Sequence, residues 1–251
     1  MTNRSDTKPP ATNEKPLSGH VALITGGSRG IGKAIAARLG WLGASLCICG
    51  RDQSALQSTA SELRLVTDGL LALTADVTKP GEILSLVQAA EEKLGPITIL
   101  VNNAGIGNPG FGSIQEKSES DWDRVLDTNL KSAFLVSQAV APLMIERRRG
   151  DIINISSLAG KNTFAGGAIY CASKWGLQGL SGCMAEDLRA FGIRVSVICP
   201  GSVFTDFSGR GPKDPTKVLT ADDVAHAVAM VALQGPQSFI SEVHLRPVSK
   251  P

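Results

Sequence analysis

The chain has 251 residues, 43% of them hydrophobic, enough to bury one substantial core, and α/β chains of this length commonly fold as one unit. Its 25 basic and 23 acidic residues leave a formal net charge of +2. That balance excludes a strong electrostatic footprint on nucleic acid or an anionic membrane, so a small molecule is the expected partner.

Residues 1–17 are read as a disordered polar tail, because MTNRSDTKPPATNEKP is polar and proline-rich and lacks the apolar stretch of a signal peptide or membrane span. A cytoplasmic protein is expected, with residues 18–251 forming a single domain. Within it, 20–25 reads as strand, 30–42 as helix, 44–49 as strand, 53–65 as helix and 70–75 as strand. The rhythm continues with a helix at 80–94, a strand at 97–101, one long helix at 120–147, a strand at 152–156, a helix at 168–190 and a strand at 195–199. A helix at 221–232 and a strand at 239–245 close the series. Apolar strands separated by helices predict an α/β, doubly wound, mostly parallel sheet with helices on both faces. Ligands of such sheets bind beyond the carboxyl ends of the strands.

The first strand runs into Thr25-Gly26-Gly27-Ser28-Arg29-Gly30-Ile31-Gly32 and then a helix. Missing side chains let the backbone approach a pyrophosphate, which the helix amino terminus attracts; a tight turn that closes helix against strand is the other reading. Tyr170, the only tyrosine, precedes Lys174 at i, i+4 spacing, so the two share a helix face. The ammonium is expected to lower the phenol from its usual value of about 10 and fit it for proton exchange. Ser157 follows the fifth strand, where its hydroxyl can hold a substrate oxygen. After the second strand, Gly50 stands where NAD-selective sites carry an acid, and Arg51 follows it. With Arg29 in the glycine turn, this predicts NADP, NADPH being preferred to NADH, since guanidinium forks suit a 2′-phosphate.

In chain order the glycine turn, Asn102-Asn103-Ala104-Gly105, Asn129, Ser157, Tyr170 and Lys174 resemble the short-chain dehydrogenases/reductases over about residues 20–245. The pattern is most similar to the 3-oxoacyl-acyl-carrier-protein reductases. The resemblance implies a Rossmann-type fold, with Asn129, Ser157, Tyr170 and Lys174 catalytic and Asn129 anchoring a water chain to the lysine. It implies a cofactor held by Gly26, Ser28, Arg29, Gly30, Ile31, Gly32 and Arg51, with Asp76 and Val77 at its adenine. Asn103, Ala104, Gly105, Tyr170 and Lys174 would continue that site, and Pro200, Gly201, Val203 and Thr205 would meet the nicotinamide. The implied activity is NADPH-dependent carbonyl reductase or alcohol dehydrogenase, with a ketone, secondary alcohol or 3-oxoacyl thioester as substrate. A catalytically silent, cofactor-binding or scaffolding relative is the alternative, which the complete set of four disfavours. A homotetramer is implied, paired through the helices at 120–147 and 168–190 and then through the last helix and strand. For acyl carrier protein, Arg148 matches the first of two expected basic residues, but Phe191 occupies the second. The carboxyl end also lacks the glycine-rich segment usual in those reductases.

Other residues carry weaker expectations. Phe111, Phe164, Phe204 and Phe207 are candidates to line the substrate pocket, and Gly209, Gly211, Pro212 and Pro215 suggest a small lid. Arg147, Arg148 and Arg149 read as a solvated cap complementing the helix dipole. Cys47, Cys49, Cys171, Cys183 and Cys199 form neither a CxxC pair nor a metal-ligand spacing with the histidines; free thiols in a reducing compartment, and no metal, are expected.

Overall fold

The computed structural model describes residues 15–110, 112–205, 207, 214 and 216–249. Seven parallel strands form one sheet in the order β3-β2-β1-β4-β5-β6-β7. They are β1 (Val21–Thr25), β2 (Ser45–Gly50), β3 (Leu70–Thr74), β4 (Ile97–Asn102), β5 (Gly150–Ile155), β6 (Ile193–Pro200) and β7 (Glu242–Leu245). Side chains alternate across each strand, so the sheet feeds two cores. Ala22, Ile24, Leu46 and Ile48 pack with the helices α1 (Gly30–Trp41), α2 (Gln53–Leu63) and α7 (Ala221–Ala232). Val21, Leu23, Cys47 and Cys49 pack on the other face with α3 (Pro80–Leu94), α5 (Ser132–Arg147) and α6 (Ala168–Arg189). Burial on both faces is why the strands read as unbroken apolar runs. The strand order reverses between β1 and β4, which opens a crevice at their carboxyl ends.

Local chemistry sets the helix ends. Asp52 caps α2 by accepting from Ala55 N at 3.1 Å, Pro80 opens α3, and Thr220 with Asp223 forms a capping box on α7. The helix expected at 120–147 is interrupted. It consists of α4 (Glu119–Leu126), a π-helical turn at Asp127–Lys131 and α5. Asn129 lies inside that turn and uses its side chain outside the helix, a physical reason for the local expansion.

Two expectations need correction, and a third is extended. Leu17, assigned to the tail, is buried at 1% exposure, and its amide donates to Leu42 O at 2.9 Å, so the ordered core begins before residue 18. The arginines at the end of α5 are exposed, as expected of a solvated cap, and also make specific contacts. Arg147 pairs with Glu91 on α3, Arg148 donates to Ala190 O at 2.9 Å, and Arg149 meets His20 at 2.7 Å, so all three tie the helix end to neighbours. Strand β7 begins at Glu242, because Ile240 N is turned toward Gln234 Oε1 at 2.7 Å. Residues 1–14, Phe111 and the proposed lid residues Gly209, Gly211, Pro212 and Pro215 lie outside the described residues.

Candidate active site

The β1–α1 turn is built by backbone conformation and close contact. Gly26 and Gly30 have φ of +64° and +53°, the left-handed region that side chains disfavour. Gly32 is required for a different reason: a Cβ there would lie 2.2 Å from Gly26 O. The turn is clamped from β4, where Asn103 Nδ2 donates to Thr25 O and Gly26 O at 2.9 and 3.1 Å. Thr25 Oγ1 accepts from Asn103 N and Ala104 N, both at 3.0 Å. No side chain caps α1, and its first turn holds no acid. Its free N–H groups at Gly30, Ile31 and Gly32 therefore fit an anionic pyrophosphate.

At the end of β2, a Cβ on Gly50 would lie 3.1 Å from Ser28 Oγ, so the two turns touch. Arg29 and Arg51 are exposed beside them, and neither makes a salt bridge among the described residues. Asp52, next in the chain, is committed to its cap and to Ser54 Oγ at 2.8 Å. Asp76 accepts from Thr78 N and Thr78 Oγ1 at 2.9 and 2.8 Å, which turns the chain after β3, and Val77 is buried. Across the crevice, Pro200 ends β6, Gly201 N donates to Leu245 O at 2.8 Å, and Val203 bridges Leu219. The Thr205 methyl carbon lies 3.6 Å from where a Gly30 Cβ would stand, so that segment folds back over the glycine turn.

Ser157, Tyr170 and Lys174 converge at the carboxyl end of β5. Ser157 caps the short 3₁₀ turn Leu158–Gly160, its Oγ accepting from Ala159 N at 3.1 Å and donating to Pro200 O at 3.4 Å. Its hydroxyl lies close enough to the Tyr170 phenol to favour the phenolate. Lys174 Nζ is buried, donates to Ile155 O at 2.9 Å and stands 5.9 Å from the Tyr170 ring centroid. Burial pushes the phenol up to about 12, against the lowering from Ser157, and pulls the ammonium down to about 8. The phenol is thus raised by burial, opposite to the expected lowering by Lys174, whose Nζ donates to a backbone carbonyl.

Asn129 completes the cluster from the π turn. Its Oδ1 accepts from Ile106 N at 2.7 Å, and its Nδ2 donates to Ile106 O at 3.0 Å and to Ser173 Oγ at 3.2 Å. Ser173 Oγ in turn donates to Tyr170 O at 2.7 Å, so Asn129 joins the loop after β4 to the tyrosine helix. Gly105 lies under Asn129 Oδ1, where a Cβ would approach to 3.3 Å. Phe207 meets the Tyr170 ring edge-on at a centroid distance of 6.3 Å, and Phe164, Phe204 and Phe207 are all exposed.

The family model described as short chain dehydrogenase matches residues 20–215. A ketoacyl reductase assigned to the granaticin polyketide synthase of Streptomyces violaceoruber is 41% identical over 206 residues, 81% of this chain and 74% of that protein. A metagenomic short-chain oxidoreductase solved in complex with NADP superposes with a TM-score of 0.82 at 41% identity, covering 94% of this chain and 100% of that one. The alcohol dehydrogenase of the archaeon Thermococcus sibiricus, complexed with 5-hydroxy-NADP, gives 0.85 at 27% identity over 92% and 98% of the two chains. The chain belongs to the short-chain dehydrogenase family. It is an oxidoreductase acting on CH–OH groups with a nicotinamide cofactor.

For a short-chain dehydrogenase, two features of this site had no sequence signal. Asn108 Nδ2 donates to Gly166 O at 3.0 Å and to Gly110 O, tying the β4 loop to the segment before Tyr170, while its buried Oδ1 has no protein partner. Thr25 is the second. A lone Asn or Thr at a strand end reads as a turn residue, and only the fold reveals what it joins.

Proposed function

We propose that this enzyme uses NADPH to reduce ketones to secondary alcohols, with Asn129, Ser157, Tyr170 and Lys174 carrying the chemistry. The observation that carries the reading is the meeting of Ser157, Tyr170 and Lys174 at the end of β5, with the Lys174 ammonium 5.9 Å from the Tyr170 ring. When bound, the nicotinamide supplies the hydride to the carbonyl carbon. Tyr170, protonated across the physiological range, delivers its phenolic proton to the oxygen where negative charge develops. The Ser157 hydroxyl leaves its long contact with Pro200 O and donates to that same oxygen. Lys174 holds positive charge near the phenolate that remains, and Asn129 fixes Tyr170 through Ser173.

The cofactor would lie along Gly26, Ser28, Gly30, Ile31 and Gly32, pass Asp76, Val77, Asn103, Ala104 and Gly105, and end near Pro200, Gly201, Val203 and Thr205. Preference for NADPH rests on the bare Gly50 position, the committed Asp52 and the exposed guanidinium groups of Arg29 and Arg51. A charge-assisted contact is worth about 1.5–3 kcal/mol, so Arg51→Ala should raise the Michaelis constant for NADPH by about tenfold or more and leave that for NADH nearly unchanged. Equal effects on both cofactors, or a wild-type preference for NADH, would overturn the preference. Small ketones are favoured over carrier-bound 3-oxoacyl groups, because Arg148 is engaged with Ala190 O and Phe191 packs against the core. Turnover of acetoacetyl thioesters measured beside simple ketones decides this.

A homotetramer fits the exposed apolar groups on α4, α5 and α6. Trp122, Phe134 and Trp175 are 46%, 44% and 49% exposed on these helices, and Phe134 lines a groove with Leu126, Leu130 and Leu180 beside Asp127 and Lys131. The five free cysteines suit a reducing, cytoplasmic setting, and no described helix is long and apolar enough to cross a membrane.

A further inference from the structure

The pairing of β6 with β7 gathers side chains that are far apart in sequence. Cys199 and His244 are register partners, and Glu242, the partner of Val197, falls on the same face of β7 as His244. Cys199 Sγ lies 3.3 Å from Glu242 Oε1, which lies 2.9 Å from His244 Nε2, and the three ligand atoms all fall within 4.8 Å of one another. A tetrahedral zinc-type ion with ligand bonds of about 2.0–2.3 Å needs donor atoms roughly 3.3–3.5 Å apart. Two of the three separations, 3.3 and 2.9 Å, are close to that spacing, and the third is at most 4.8 Å.

Two surrounding contacts shape the cluster. Lys161 Nζ sits 2.8 Å from Glu242 Oε1, so the carboxylate already pairs with a cation. Gln178 Nε2 lies 3.0 Å from Cys199 Sγ and also donates to Ser156 Oγ at 3.0 Å, which fixes the thiol's surroundings from α6. The thiol is fully buried while the Glu242 and His244 side chains are 32% and 43% exposed, giving a closed floor and an open mouth.

We propose that Cys199, Glu242 and His244 form a binding site for a zinc-type divalent cation. The thiolate, imidazole and carboxylate set suits a borderline-soft d-block ion over magnesium or calcium, and three protein donors leave a fourth position for water. On binding, the Cys199 thiol releases its proton to solvent, and Lys161 leaves Glu242 with its own proton retained. Because Lys161 follows the Ser157 turn, the cation replaces the ion pair that fastens this turn to β7.

The probe is Co2+ titrated into the cofactor-free full chain. The expected result is the visible bands of tetrahedral Co2+ with a sulfur-to-cobalt charge-transfer band, both removed by about one equivalent of Zn2+. Cys199→Ser should abolish the charge-transfer band. His244→Gln, at an exposed position that leaves folding intact by circular dichroism, should weaken binding about tenfold or more. Lys161→Met removes the competing ammonium and should tighten binding several-fold. Absence of the bands in the wild type, a charge-transfer band that survives Cys199→Ser and is lost in Cys183→Ser, or weaker binding in Lys161→Met would each overturn the site.

Discussion

Burial holds the Tyr170 phenol neutral up to about 12 and drives the Lys174 ammonium down to about 8, so the two groups respond differently to pH. Removing the phenol in Tyr170→Phe should lower turnover about 10²–10⁴-fold while cofactor binding, followed by fluorescence, is retained. A variant keeping half the wild-type rate would overturn the role of Tyr170. For Lys174 the folded value lies below the ordinary 10.5, so between about 8 and 10.5 the unfolded chain binds the extra proton and stability rises with pH. The deeply buried Cys47 and Cys49 titrate above their ordinary 9.0 and oppose this, so the contribution is read as a difference. The urea-unfolding free energy of wild type minus that of Lys174→Met should increase from pH 8 to pH 10; a flat difference would contradict the shift. Tyr170 and Lys174 could be picked out from residue type and i, i+4 spacing, and Ser157 from its place at a strand end, whereas Asn129 was picked out only through the family resemblance. Asn108 and the Cys199–His244 contact were not legible, since one is a loop asparagine and the other exists only through strand register.

The glycine turn shows how an element is specified by what it lacks. In Gly32→Ala the new methyl would strike Gly26 O, a backbone atom held by Asn103, so the turn must move. Overpacking of this kind costs about 1–3 kcal/mol, and a fall in Tm of several degrees with weakened cofactor binding is expected. Gly81→Ala, in α3 with open space around it, serves as the contrasting substitution and should raise Tm slightly. An unchanged Tm in Gly32→Ala would contradict the close approach. Periodicity located all seven strands and placed α3 and α7 at their observed ends, because these elements bury continuous apolar faces. It missed the division of the long helix, since Asp127–Lys131 keeps the helical spacing of apolar residues and widens only to let Asn129 reach Ile106. It likewise hid Leu17, one apolar residue after a polar run, whose burial depends on the distant end of α1.

At the scale of the molecule, the apolar groove between α4, α5 and α6 is the feature that the isolated chain leaves open. Light scattering is expected to give a tetramer for the wild type and a smaller species for Phe134→Asp, whose charge would be buried between copies; a monomeric wild type would overturn the assembly. The doubly wound architecture was legible from the alternation of strand and helix, whereas assembly rests on surface shape that no single residue encodes. The sheet order has a further consequence for synthesis. Val21–Thr25 is flanked by β2, which follows at once, and by β4, where Val21 pairs with Ile97. A ribosome that has released residues 15–94 therefore presents a three-stranded half-sheet in which the β1 edge, as well as that of β3, is naked and part of the apolar cover is missing. Pausing before β4 emerges invites chaperone capture or self-association, and a chain truncated after Leu94 should accumulate as aggregate, while one extending through β5 should gain solubility.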